Sequence, residues 1–186
     1  MTEVRPAADA ESGRFLLQPT VGWWVLIRCG PPGFDVYVRV AFADTVDPVG
    51  EDPTLRQALA TLAHHTSTPD TGYAAIWEGW TSGGPAPRAP RLPIPHREML
   101  LFTGPLNVLR DAPALAWWGS AEGCYAEPHL VWPEDQSWCL ACDVDEEIEF
   151  TVGCSLEAAQ ALATAMPGAV RRVRYGEWEQ LDRQVP

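Results

Sequence analysis

Lysine is missing from this chain. All 13 basic residues are arginine, set against 25 aspartates and glutamates, for a formal net charge of −12 over 186 residues. The absence excludes Schiff-base chemistry, a catalytic lysine and the lysine of a phosphate-binding P-loop. So few positive charges also argue against nucleic acid or an anionic membrane as ligand, because both need a basic footprint. Long apolar runs are lacking as well: the stretches 23–27 and 99–102 are far too short to span a bilayer. The opening MTEVRPAADAESG has neither the positive start nor the apolar run of a signal peptide and reads as a disordered tail. The five cysteines (Cys29, Cys124, Cys139, Cys142, Cys154) are an odd number, which fits reduced thiols and a cytoplasmic location better than a disulfide framework.

What is present is an ordinary globular composition, with 46% hydrophobic and 20% charged residues. The sequence predicts a tail over 1–13, a single α+β domain over 14–178 and a C-terminal tail over 179–186. VGWWVLIR (21–28) is rich in strand formers and DVYVRVAF (35–42) alternates, so the two predict a hairpin around PPGF. A helix is predicted over 53–64, with Asp52 as N-cap, Pro53 in the first turn and Leu55, Leu59 and Leu62 on one face; His64 and His65 close it. GYAAIWEGW (72–80) and REMLLF (97–102) predict strands. The segment 81–96 between them, with Pro85, Pro87, Pro90, Pro93 and Pro95, predicts a surface loop. SWCLACDV (137–144) alternates, with Trp138, Leu140, Cys142 and Val144 opposite Cys139, Ala141 and Asp143, and IEFTV (148–152) pairs back onto it. Ser155 caps a helix with Leu156, Ala159, Ala163 and Met166 as its apolar face, and AVRRVRY (169–175) is a last strand. The sum is an α+β fold, a mostly antiparallel sheet with two helices on one face.

Three segments, HTSTPDTGYAAIWEGW (65–80), PHREMLLFTGPL (95–106) and WPEDQSWCLACDVDEEIEFTVGCS (132–155), resemble stretches shared by a group of bacterial proteins from GC-rich genomes. The resemblance implies no activity, cofactor or catalytic residue. In that group the position of Cys142 tends to be acidic or threonine, which implies that Cys139 and Cys142 do not act as a pair.

Several constellations carry candidate chemistry. Cys124, His129, Cys139 and Cys142 have soft-ligand spacing for zinc, yet Cys139 and Cys142 fall on opposite faces of a strand, so buried structural thiols are the plainer account. Asp143, Asp145, Glu147 and Glu149 can hold a hard cation, face a partner, or simply be solvated at a hairpin tip. His96, His129 or the 143–149 carboxylates supply the parts of a hydrolase or metal-dependent enzyme. Glu78, between Trp77 and Trp80, is a candidate general acid of raised pKa.

The strongest pattern is the placement of charge. Residues 111–170 hold eleven carboxylates and no arginine, together with Trp117, Trp118, Trp132 and Trp138. Aromatic residues in a field of one sign suit a surface for a basic protein. The first expectation is therefore a non-catalytic, cofactor-free binding domain for a basic protein partner, in the manner of an immunity protein or an escort. Trp117, Trp118, Trp132, Asp143, Asp145, Glu147 and Glu149 would form its contact surface. The enzyme is the alternative, and a small-ligand sensor with a tryptophan-lined pocket is the second. The oligomeric state is left open.

Overall fold

Nine antiparallel strands, described by a computed structural model over residues 4–43, 53–79, 88–109, 128–144 and 148–177, make one sheet. The strands are β1 (Arg5–Pro6), β2 (Val36–Ala41), β3 (Gly72–Trp77), β4 (Arg91–Ile94), β5 (Arg97–Gly104), β6 (Leu130–Pro133), β7 (Cys139–Ala141), β8 (Glu149–Cys154) and β9 (Val170–Val173). Their order across the sheet is β1-β5-β3-β6-β7-β8-β2-β9, with β4 also paired to β5. The helices are α1 (Trp23–Cys29), α2 (Pro53–Leu62), α3 (Leu106–Leu109) and α4 (Leu156–Ala165), plus a 3₁₀ helix at Glu11–Leu16. The predicted α+β class holds.

Both faces of the sheet are buried, and strand alternation sorts the residues between them. Val36, Val38, Val40, Leu140, Phe150 and Val152 pack with α2 and α4 on one side. Leu130, Trp132, Cys139 and Ala141 pack with α1 and the 3₁₀ helix on the other. Leu55, Leu59 and Leu62 are buried as the helical spacing of α2 predicts, and each contributes about 1.5–3 kcal/mol by leaving water. Ser155 caps α4, its Oγ accepting from the Ala158 N–H at 3.1 Å. The face of α4 is turned from the predicted one: Ala158, Ala159, Leu162 and Met166 are buried, whereas Leu156 is 49% exposed and Ala163 is exposed. An alanine-rich helix offers several apolar stripes, and packing against α2 selects among them.

Four expectations need correction or qualification. Residues 23–29 form a helix, not a strand, so there is no hairpin with β2, which pairs instead with β8 and β9. Leu26, Ile27 and Cys29 face the sheet, and Gly30 ends the helix at φ 72°, donating its N–H to Leu26 O. Tertiary packing overrides the strand propensity of Trp, Val and Ile here. The segment expected as a tail over 1–13 joins the fold: Arg5 and Pro6 pair with Thr103 and Phe102, and Ala7 is buried. The Pro-rich segment contributes β4, an outer strand in which Pro93 lies opposite Glu98. An edge tolerates proline because its missing N–H can face away from the ladder. Last, the two predicted helices, α2 and α4, share one face as expected, and α1 adds a helix on the other. Asp52 and residues 179–186 lie outside the described residues.

The α1 side of β2, β8 and β9 also carries charge. Arg39 and Arg171 stand directly opposite each other, a repulsive pairing. Glu149 resolves it, bonded to Arg39 and receiving Arg171 Nη2 at 2.9 Å. Gly153 leaves room on this face for Phe34 and Tyr37; a Cβ there would meet Phe34 Cδ2 at 2.4 Å.

Candidate functional site

The residues expected to contact a partner divide sharply. Trp132 is fully buried, edge-on to Phe15 at 5.6 Å and stacked on Tyr73 at 5.8 Å, so it supports the core and cannot anchor a partner. Asp143 is only 6% exposed. Its Oδ2 accepts from Arg28 Nε at 2.9 Å, and its Oδ1 accepts from the Val144 N–H and lies 4.0 Å from Arg97 Nε. Glu149 is committed to Arg39 and Arg171. These two carboxylates are internal charge partners, contrary to their expected place on a contact surface. Trp117, Trp118, Asp145 and Glu147 lie outside the described residues.

Around Asp143 the structure gathers side chains distant in sequence. The Arg97 guanidinium lies over the rings of Trp23 at 5.3 Å and Trp77 at 4.9 Å, and His96, at φ 64° in the β4–β5 turn, lies 5.2 Å from the Trp23 ring. His129 is buried, and its Nδ1 accepts from the Trp77 N–H at 3.0 Å. Burial, with the nearby Arg97 charge, pushes its pKa down to about 3, so it is neutral. The cluster joins α1 to β3, β5 and the end of β7.

The zinc set does not assemble among the described residues, where no group of three or more metal-capable side chains occurs. Cys139 belongs to the α1-side core and Cys142 to the opposite one, and Cys124 lies outside the described residues. Cys29, Cys139, Cys142 and Cys154 are buried free thiols. Burial raises the pKa of Cys29 and Cys139, and that of Cys154 to about 12, the last helped by Asp35. These four are therefore expected to stay unmodified by a thiol reagent at pH 8 and to react once the protein unfolds. Mass mapping checks this, and labelling of any of them in the native protein would contradict it. Glu78 is also corrected: hydrogen bonding to Arg91, at 2.7 and 2.9 Å, lowers its pKa and opposes a general-acid role.

Exposed carboxylates gather elsewhere, at one end of the sheet. The loop 134–137 between β6 and β7 is stitched to the loop 64–71 after α2. Asp135 Oδ2 accepts from the Ser67 N–H at 2.6 Å and Ser67 Oγ at 2.7 Å, and Oδ1 accepts from the Ser137 N–H at 3.1 Å. The Glu134 N–H donates to Thr71 O, and Ser137 Oγ donates to His65 O. Partial burial opposes ionisation of Asp135, but the bonds from Ser67 and Ser137 outweigh it and hold the carboxyl below its usual range.

The loop is a ridge between two hollows. Glu134 and Gln136 line a hollow of about 820 Å³ with Asp9, Glu11, Thr71 and Tyr73, and Arg5 lies on its wall. Asp135 and Ser137 line another of about 380 Å³ with His64, His65, Ser155 and Glu157. Glu134, Asp135 and Glu157 belong to the acidic window of the sequence, whereas Asp9 and Glu11 come from the segment expected to be a tail. Comparisons with protein-family models, curated proteins and solved structures find no match.

Proposed function

We propose that this chain is a non-catalytic protein-binding domain that takes a basic partner at the 134–137 ridge, neutralising or escorting it. The observation that carries the reading is the ridge itself: the Asp135 carboxylate, held by main-chain and hydroxyl hydrogen bonds, stands between a hollow lined by Asp9, Glu11 and Glu134 beside Arg5 and another lined by Glu157 beside His64 and His65. A surface fixed before binding loses little entropy on association. The hollows are large enough for arginine or lysine side chains, and Tyr73 offers an aromatic surface to a cation in the larger one. The net charge of −12 favours rapid, salt-sensitive encounter with such a partner.

The test is capture from a lysate of the native cells at low and high salt, using the wild-type chain and the double variant Glu134→Arg/Glu157→Arg. Both positions are exposed, so the fold should be retained. The expected result is a basic protein held at low salt, released at high salt, and bound roughly tenfold or more weakly by the variant. Equal binding by the variant would move the interface away from the ridge.

The enzyme reading is favoured by one observation, the convergence of His96, His129 and Asp143 around Arg97. Turnover of a panel of ester and phosphodiester substrates, lost in His96→Asn, would transfer the function there.

A further inference from the structure

The strand β9 closes the sheet at the end opposite β1, and among the described residues it pairs only with β2. Its outer edge bears a concentration of positive charge unusual for this chain. Arg171, Arg172 and Arg174 account for three of 13 basic residues within four positions. Arg171 is bound to Glu149, whereas Arg172 and Arg174 are exposed.

Hollows lie beside this edge. One of about 180 Å³ is lined by Leu156, Ala159, Ala163 and Val170, with Arg172. It explains the 49% exposure of Leu156, a large apolar side chain left outside the core. Another of about 620 Å³ is lined by Phe34, Tyr37, Arg172, Arg174 and Tyr175, with Asp35 and Glu177 also on its wall. An incoming strand finds main-chain partners on the edge, an apolar recess for one of its side chains and arginines beside it. This is the arrangement of strand addition, where backbone bonds supply affinity and pockets supply specificity.

We propose that the outer edge of β9 receives an acidic, extended segment of another protein as an added strand. Charge selects this occupant over a second copy of the chain. Antiparallel two-fold pairing that keeps each sheet face continuous sets Arg171 opposite its own copy, Arg172 opposite its own copy or, centred on Val173, Arg172 opposite Arg174, and like charges directly opposite are repulsive; centring on Val170 avoids this but overlaps the two strands at that one residue. A segment alternating apolar and acidic residues satisfies both the apolar recess and the arginines. The surface is distinct from the carboxylate ridge and does not rest on the function proposed there.

The test uses a bead library of synthetic peptides of about eight residues, valine alternating with a randomised position, screened with the labelled full chain. Aspartate and glutamate should be enriched at the randomised positions. The selected peptide should bind roughly tenfold or more weakly to Arg172→Glu/Arg174→Glu, and should fail when its alternate amides are N-methylated. Should that variant not fold, Ala163→Lys, which charges the apolar recess from an exposed helix position, should give the same loss. Selection without acidic enrichment, or binding indifferent to these changes, would overturn the proposal. Self-association of the protein that excludes the peptide would overturn it too, by assigning the edge to a second copy.

Discussion

Asp143→Asn is expected to lower folding stability by about 3 kcal/mol, and Asp143→Arg to prevent folding. Asp143 is 6% exposed and stands between two arginines from different elements, Arg28 of α1 and Arg97 of β5. Removing the charge of one member from a buried ion-pair cluster costs about 3–5 kcal/mol. Asparagine retains an acceptor for Arg28, and Arg28 and Arg97 are partly solvated, which places it at the lower end. Reversal adds a third positive charge beside Trp23 and Trp77. Urea denaturation measures the difference as a shift in midpoint at unchanged slope. An Asp143→Asn protein as stable as wild type would mean that other groups or water, not this carboxylate, balance the arginines. A charge reversal at this position would therefore report on folding rather than on partner binding.

The second large effect is a loss of stability in mild acid centred on His129. Its folded pKa is depressed by burial to about 3 from the ordinary histidine value of 6.5. Above pH 6.5 both folded and unfolded states are neutral at this residue, and it contributes no pH dependence. Between pH 6.5 and about 3 the unfolded chain binds a proton that the folded chain refuses, so stability falls by up to about 1.4 kcal/mol per pH unit. Asp135 acts lower: its depressed pKa stabilises the fold fully above its unfolded value of 3.8 and loses that contribution only below it. The window from pH 6.5 to 4.5 thus belongs to His129. His129→Asn, which can still accept from the Trp77 N–H, should flatten the pH dependence in that window. Persistence of the full slope in the variant would assign it to other groups.

Local pattern carried the elements whose neighbours only reinforce it. The alternation of 36–40 and 139–142, the Ser155 cap and the leucine spacing of 55–62 are each settled within a few residues. Partnerships across the chain were not legible in that way. Arg28 and Asp143 are 115 positions apart, and Arg39 and Glu149 are 110 apart. A count of charges along residues 111–170 therefore merges buried acids matched by remote arginines with acids that remain on the surface. The same holds for α1, where the strand-forming side chains of 23–27 cover a sheet face built largely from later strands. In the N-terminal segment, polar composition concealed a two-residue pairing on the edge of β5. The exposed ridge was half visible: Glu134, Asp135 and Glu157 stood in the acidic window, but the fold was needed to set Asp9 and Glu11 beside them.

The most direct measurement is hydrogen exchange of the chain alone and in complex with its captured basic partner. Protection on binding is expected in 64–71 and 134–137, the two loops tied together by Asp135, with little change around Arg28, Arg97 and Asp143. Protection centred on the Asp143 cluster, with the 134–137 loop unchanged, would contradict the division between structural and partner-facing carboxylates on which the proposed function rests.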